Sequence, residues 1–433
     1  MKSHRQARRA LTYEINSKIL TDNSQDCTNG TLFLATQSSQ KYADEARQRG
    51  AQIIYPQDLA NYLRRDIKLI GITGTNGKTT TASMLAHLLR SLGHKVALQG
   101  TSGTFIESVQ ISEKSLTTPQ LLDTSVHIHK ACERGCAFFI MEVSSHAIAQ
   151  ERIAGLDFAL KIITNITSDH LDYHKSQVEY SRIKHEFIAN SLTLINADDK
   201  AISTPNRNIR SYAIESLATY KMQAYSQEPS LSGFISFAKD GAVFSSKLIG
   251  FFNLYNILAS VGAAHILTNK SLAQINPALE SFAGVAGRME IVNKEPLVLI
   301  DFAHTQDGIV QALKALGARK IVSVVGAGGN RDKHKRPLMA QAAYELSKRV
   351  YFTSDNPRDE DPLDIIADML AGLSEQSRAI VEVDRTLAIK RSIDELASDE
   401  VLIILGRGDE TKQEVKGEFL PLNDKQIVLG ILQ

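Results

Sequence analysis

Lys68-Leu-Ile-Gly71-Ile-Thr-Gly74-Thr-Asn-Gly77-Lys78-Thr79-Thr80 is the stretch that decides the fold. Its first half is a short apolar run, the pattern of a strand buried on both faces, and the residues from Thr80 to Ser91 read as a helix. Glycines in such a strand-to-helix turn let backbone N–H groups close around an anion. The helix N-terminus adds its dipole, a lysine reaches the terminal phosphates, and a threonine hydroxyl can ligate magnesium. The strict G-x-x-x-x-G-K-[ST] pattern asks for glycine where Ile72 stands, so this is a variant loop. Gly74, Thr75, Asn76, Gly77, Lys78, Thr79 and Thr80 are its candidate phosphate contacts. An ordinary Gly-rich βα turn is the competing reading. A guanine-reading Asn-Lys-x-Asp string is missing, Asn196-Ala-Asp-Asp199 being the nearest approach, so ATP is the favoured nucleotide.

Outward from this loop, similar apolar runs recur, each ending in a small or polar residue. They are 137–142, 161–165, 192–196, 296–301, 320–326, 350–355 and 401–406. Helical stretches such as 306–316 and 337–348 lie between them, and alternation of this kind argues for doubly wound α/β sheets. Ligands in such sheets sit at the carboxyl ends of strands, so the polar strand-end residues are where chemistry is expected. The runs fall into two groups, about 68–200 and 296–406. The stretch 201–245 is polar and loop-like around Pro229 to Gly233, and 250–285 looks helical. The expectation is an α/β protein of three domains. A small N-terminal α/β domain spans 1–67, a central P-loop-type doubly wound ATP-binding domain 68–286, and a Rossmann-like C-terminal α/β domain 287–433.

Composition narrows the classes. The 433 residues are 43% hydrophobic and 22% charged, which is ordinary globular usage. Lys+Arg at 49 against Asp+Glu at 48 leaves a net charge of +1, so no global field draws the chain to nucleic acid. Cys27, Cys132 and Cys136 are too few for a disulfide framework or a zinc site. The basic start MKSHRQARRALTYEINSKIL lacks a secretory apolar run, and no apolar stretch approaches the roughly 20 residues of a membrane span. A cytoplasmic protein without membrane insertion is expected.

Past the loop, three positions invite chemistry. Glu142 ends an apolar run and precedes Val-Ser-Ser-His146; magnesium favours one or two carboxylates beside phosphate oxygens. His170 and His174 lie four apart in Asn165-Ile-Thr-Ser-Asp-His170-Leu-Asp-Tyr-His174, but without H-E-x-x-H or a third ligand magnesium is favoured over zinc. On spacing alone Lys184, in Tyr180-Ser-Arg-Ile-Lys184, is a solvated helix lysine.

Taken together, these strings resemble the Mur ligase family, ATP-dependent amide ligases that build the peptide of cell-wall precursors. The resemblance runs through nearly all of residues 68–433. It implies that Lys78 holds the β/γ-phosphates. Thr79, Glu142 and His170 would be magnesium ligands, joined by Lys184 as a carbamylated lysine. Phe252-Asn253-Leu-Tyr-Asn256 resembles the asparagine pair near the adenine, Gly287-Arg288-Met-Glu290 the arginine on the γ-phosphate, and Asp301-Phe-Ala-His304 the ribose-contacting segment, with Phe302 replacing tyrosine. Lys78, Glu142, His170, Lys184 and Arg288 would thus carry the reaction, with ATP and Mg²⁺ as cofactors.

Within the family, Asp355-Asn356-Pro357-Arg358 is the string associated with meso-diaminopimelate as the incoming amino acid. The chemistry fits, since Arg358 offers a planar fork for a distal carboxylate and Asp355 a partner for its ammonium. Arg331, Gly406 and Glu410 match further diaminopimelate contacts. Thr117, Thr118, Ser145 and Arg152 match contacts to the UDP-N-acetylmuramoyl dipeptide, and Ser24 is the best candidate for uridine in a shortened first domain. Two strings depart from the family: Gly-Lys-Gly-His-Glu appears as Gly406-Arg-Gly-Asp409-Glu410, and Leu116 stands where an asparagine usually precedes the paired threonines. The implied reaction phosphorylates the D-glutamate γ-carboxylate and displaces phosphate with the amine, closure of the last domain assembling the site in a three-domain monomer. A folylpolyglutamate synthase-like ligase, a lysine-adding relative, and a nucleotide-hydrolysing P-loop switch are the alternatives.

Overall fold

The computed structural model describes residues 12–15, 17–114, 116–167, 171–228 and 230–433, Leu171 and Asp172 by their backbone alone. A four-stranded sheet opens the chain, built of β1 (Thr12–Ile15), β2 (Lys18–Thr21), β3 (Leu32–Leu34) and β4 (Gln52–Ile54) in sequential order. Its Leu20, Leu32, Leu34 and Ile54 pack against Leu121, Leu122 and Val126, one face of helix Leu121–Glu133. The Tyr13 hydroxyl donates to Asp123 on that helix at 2.5 Å.

The next sheet holds eleven strands. They are β5 (Lys68–Thr73), β6 (Val96–Gly100), β7 (Gly103–Ile106), β8 (Val109–Ser112), β9 (Phe138–Glu142), β10 (Phe158–Ile163), β11 (Thr193–Asn196), β12 (Ile209–Ala213), β13 (Tyr220–Ser226), β14 (Leu231–Phe237) and β15 (Asp240–Ser246). Their spatial order is β15-β14-β13-β12-β11-β10-β5-β9-β6-β7-β8. β5 lies between β10 and β9, parallel to both. Ile70 and Ile72 face helices Lys78–Ser91 and Phe252–Thr268, while Leu69 faces Phe158 and Phe187 across the sheet. Met84, Leu85, Leu88 and Leu89 are fully buried there. Each contributes about 1.5–3 kcal/mol relative to exposure.

The polar stretch 201–245, expected to be loop-like around Pro229 to Gly233, is strand from Ile209 to Ala213 and again from Tyr220, where β13, β14 and β15 form an antiparallel meander and β14 already begins at Leu231. The reason is physical: only one face is covered. Tyr220, Met222, Leu231, Ile235 and Phe244 point into the core while alternate residues meet solvent, so no continuous apolar run marks the strands.

The third sheet contains β16 (Glu290–Lys294), β17 (Leu297–Asp301), β18 (Lys320–Val325), β19 (Arg349–Phe352), β20 (Ala379–Val381) and β21 (Glu400–Leu405). They lie in the order β16-β17-β21-β18-β19-β20, parallel except for β16 at the edge. The carboxyl ends of β17, β21, β18 and β19 therefore present Asp301, Gly406, Gly326 and Asp355 on one side. A hairpin of β22 (Lys412–Val415) and β23 (Glu418–Pro421) follows. Among the described residues no helix is long and apolar enough to cross a membrane.

Candidate functional site

A cavity of about 730 Å³ opens between the second and third sheets. One wall is the loop after β5. Gly74 has φ +147°, and a Cβ there would sit 1.8 Å from Thr164 Oγ1. Gly77 has φ +83°, and its Cβ would sit 2.5 Å from Asn256 Oδ1. Only glycine fits either place. The loop is held from the neighbouring β10 end: Thr75 N–H donates to the Asn165 carbonyl at 2.9 Å, and Asn76 N–H to Asn165 Oδ1 at 2.9 Å. Thr164 Oγ1 donates to the Asn76 carbonyl at 2.6 Å. The Lys78 ammonium spans the loop, donating to the carbonyls of Gly74 and Thr75, both at 2.8 Å. Thr80 is buried beside Thr79 on the first turn of the helix.

Glu142 reaches the same place from the end of β9 and is 2% exposed. Thr79 Oγ1 donates to its Oε2 at 2.9 Å, Thr101 Oγ1 to the same oxygen at 3.3 Å, and Thr101 N–H to Oε1 at 2.9 Å. A hydroxyl and a buried carboxylate beside a phosphate loop are the hard oxygen donors that magnesium takes, so the residues fit that ion.

Thr117, Thr118, Ser145 and Arg152 gather around this strand end. Thr101 Oγ1 donates to Thr117 Oγ1 at 3.3 Å and Thr118 Oγ1 to the Glu142 carbonyl at 2.9 Å. The Arg152 guanidinium donates to the Thr118 carbonyl at 2.9 Å. Ser145 Oγ lies 2.9 Å from His174 Nε2. His170 lies outside the described residues.

Lys184 is not solvated. It is 1% exposed on helix Gln177–Ile188, with its nitrogen 4.7 Å from the centre of the Tyr180 ring. The helical spacing carried the signal, because Lys184 stands in the stripe of Tyr180, Ile183, Phe187 and Ile188 that the helix buries.

Asn253 and Asn256 are joined to each other and to the backbone. Asn256 Nδ2 donates to Asn253 Oδ1 at 2.8 Å, and Asn253 Nδ2 to the Ile249 carbonyl at 2.7 Å. The opposite wall brings Arg288, whose guanidinium stacks 4.2 Å from the Phe302 ring centre. Asp301 accepts from the N–H groups of Met289 at 2.7 Å and Ala303 at 2.8 Å. Burial pushes its carboxyl above the usual carboxylate range, with Arg288 opposing.

Arg331 and Glu410 line the same cavity. Behind Glu410, Asn356 Nδ2 donates to Glu410 Oε2 at 2.9 Å and to Asp355 Oδ1 at 3.1 Å. Gly406 has φ +108°, and a Cβ there would meet Asp355 Oδ2 at 2.7 Å. Arg358, at φ +52°, donates to Glu414 Oε2 at 3.1 Å and to the Gly329 carbonyl at 2.6 Å, and the Pro357 carbonyl closes over Gly329. Ser24 stands apart, buried in the first sheet's domain and donating to Glu45 Oε2 at 2.8 Å.

Sequence reading missed several residues that shape the site. Arg407 is fully buried, donating to Asn356 Oδ1 at 3.1 Å and to the carbonyls of Lys412 and Leu422. Asn76 Nδ2 donates to Asp307 Oδ2 at 3.0 Å across the cavity. Lys114 lines it as well. Asn165 was legible as a polar strand end; the others are joined only by the fold.

Comparison with known proteins follows the same division. The Mur ligase middle domain matches residues 72–264, and the Mur ligase, glutamate ligase domain matches 287–408. The chain is 46% identical over 426 residues to the UDP-N-acetylmuramoyl-L-alanyl-D-glutamate--2,6-diaminopimelate ligase of Wolinella succinogenes, covering 98% of both chains. It is 44% identical over 434 residues to the protein of that name from Helicobacter pylori, covering 97% of both. A solved structure of a UDP-N-acetylmuramoyl-L-alanyl-D-glutamate--2,6-diaminopimelate ligase superposes with a TM-score of 0.67 at 28% identity, over 95% of this chain and 94% of that one. Folylpolyglutamate synthase of Mycobacterium tuberculosis shares the fold, with a TM-score of 0.66 at 16% identity over 81% of this chain and 91% of that one.

Proposed function

The chain belongs to the Mur ligase family, and we propose that it is the ATP-dependent ligase adding meso-diaminopimelate to the D-glutamate γ-carboxylate of UDP-N-acetylmuramoyl-L-alanyl-D-glutamate. It would do so as a cytoplasmic monomer supplying peptidoglycan precursor. The units would be a uridine-side domain at 1–67, with Ser24, an ATP domain at 68–286 and an amino-acid domain at 287–433. The observation that carries the reading is that one cavity has the phosphate loop and Glu142 on one wall and Arg331 and Glu410 on the other.

Chemistry follows from that arrangement. A carboxylate resists amines because an oxide is a poor leaving group. The γ-carboxylate oxygen therefore attacks the γ-phosphorus of ATP, ADP departs, and an acyl phosphate results. The diaminopimelate amine then adds to the acyl carbon, loses a proton, and expels phosphate from the tetrahedral intermediate. Lys78 and Arg288 neutralise charge that builds on the phosphoryl oxygens, and the loop N–H groups need no reorganisation to do the same. Asn253 and Asn256 seat the base and Asp301 the ribose. Thr117, Thr118, Ser145 and Arg152 hold the acceptor so that its carboxylate meets the phosphorus. Thr79 and Glu142 would hold one magnesium ion, and His170 with carbamylated Lys184 a second; magnesium bound there screens phosphoryl charge. Asp355, Asn356, Pro357, Arg358, Gly406 and Glu410, with Arg331, form the amino-acid pocket.

Incubation with ATP, the UDP-muramoyl dipeptide and either diaminopimelate or lysine, with the product weighed by mass spectrometry, tests the reading. A product from diaminopimelate alone is expected. Equal addition of lysine would remove the specificity, and no product from either would remove the function.

A further inference from the structure

Two described side chains meet at the cavity that the phosphate loop also lines. Lys114 follows β8 at the rim of the second sheet, three residues before Thr117, and Asp409 precedes Glu410 in the loop after β21. The Lys114 ammonium is 2.9 Å from Asp409 Oδ1. It also lies 5.9 Å from the centre of the Phe302 ring, which meets the Arg288 guanidinium at 4.2 Å and the His304 ring at 4.9 Å. Both partners are about a third exposed or less, at 34% and 26%, so the pair is partly desolvated. The loop it grips is already pressed on the third sheet's entry, since a Cβ on Gly287 would meet Asp409 N at 2.2 Å.

Resting on the proposed function, we infer that Lys114 is a positioning residue for the amino-acid half of the reaction. It pulls the loop that carries Gly406 and Glu410 against the acceptor-binding rim. Through Glu410 and Asn356 the pull reaches Asp355, because Asn356 Nδ2 bridges the two carboxylates. Lys114 thereby aligns the incoming amine with the acyl phosphate held near Thr117 and Thr118. Its own charge is committed to Asp409, so it acts on the amino acid and not on ATP.

A double-mutant cycle tests this. Lys114→Met keeps the stem over Phe302 and removes the charge; Asp409→Asn keeps the shape of its partner. Each should raise the KM for diaminopimelate about two- to fivefold, the effect of a partly exposed ion pair. Nucleotide affinity, read with AMP-PNP, should stay unchanged. The double variant should be no worse than either single one, and Lys114→Asp with Asp409→Lys should regain part of the loss. Added salt should raise the wild-type KM and leave the variants unmoved. Additive losses, or an equal loss of AMP-PNP affinity in Lys114→Met, would overturn the assignment. Should the wild type ligate no diaminopimelate, the proposed function fails on its own. The pair is then decided by energy transfer between dyes at Val178→Cys and Leu387→Cys, both exposed, one on helix Gln177–Ile188 and one on helix Arg385–Asp394. With AMP-PNP bound, Lys114→Met should lower transfer; unchanged transfer would refute the pair.

Discussion

The two walls of the cavity are built by different means. On the nucleotide side the parts are backbone and short polar side chains: glycines without room for a Cβ, and a loop bonded to Thr164 and Asn165 at the next strand end. On the amino-acid side the parts are long charged side chains joined in a network, with Arg407 on Asn356, Arg358 on Glu414, and the buried Arg385 on Asp424 at 2.7 Å. The first kind of wall, proposed for the nucleotide, offers backbone groups that leave little to vary. The second can be rewired by exchanging a few charges, which suits a site that distinguishes one amino acid from another.

The contrast can be broken at three strengths. Lys184→Ala should lower ligation by at least about 10²–10³-fold, the scale of losing one preorganised charge-stabilising group. Short carboxylic acids added to the assay should restore part of it; full activity without them would dismiss the carbamate. On the other wall, Arg407→Ala takes the guanidinium donor from the Lys412 and Leu422 carbonyls, while Asp424 keeps Arg385, and should cost about 1–3 kcal/mol of stability, seen in urea melts. Arg407→Lys should keep more of the fold yet raise the KM for diaminopimelate, since one ammonium cannot replace the fork. The smallest effect concerns pH. The Arg336 guanidinium holds the Glu360 carboxyl down at about 2, against 4.5 ordinarily. A depressed carboxyl gives stability that is complete above its unfolded value and fades as pH falls from about 4.5 towards 2. Glu360→Gln should flatten that limb of a thermal-melting profile by on the order of 2 kcal/mol.

How much could be read beforehand follows the same split. The loop from Gly74 to Thr80 was legible because its chemistry is contiguous, and Glu142 because an apolar strand ends on it. The α/β class followed from runs buried on both faces. β13 to β15 escaped because their apolar residues alternate, and the burial of Lys184 was passed over although Tyr180, Ile183, Phe187 and Ile188 put it on the buried face of its helix. Lys114 and Asp409 lie 295 residues apart, and no periodicity joins them. Local pattern carries what local backbone performs. Pairings between walls appear only once the chain is folded.

The first sheet's attachment has a consequence of its own. Leu121, Leu122 and Asp123 bind that sheet at the start of a helix that begins three residues after Thr118. The domain proposed for the uridine end and the threonines proposed for the peptide end are thus clamped to one short rod. Such a jig gauges length. An acceptor one residue too short or too long, seated at its nucleotide end, would bring its carboxylate to the wrong place along the track, however well its groups matched.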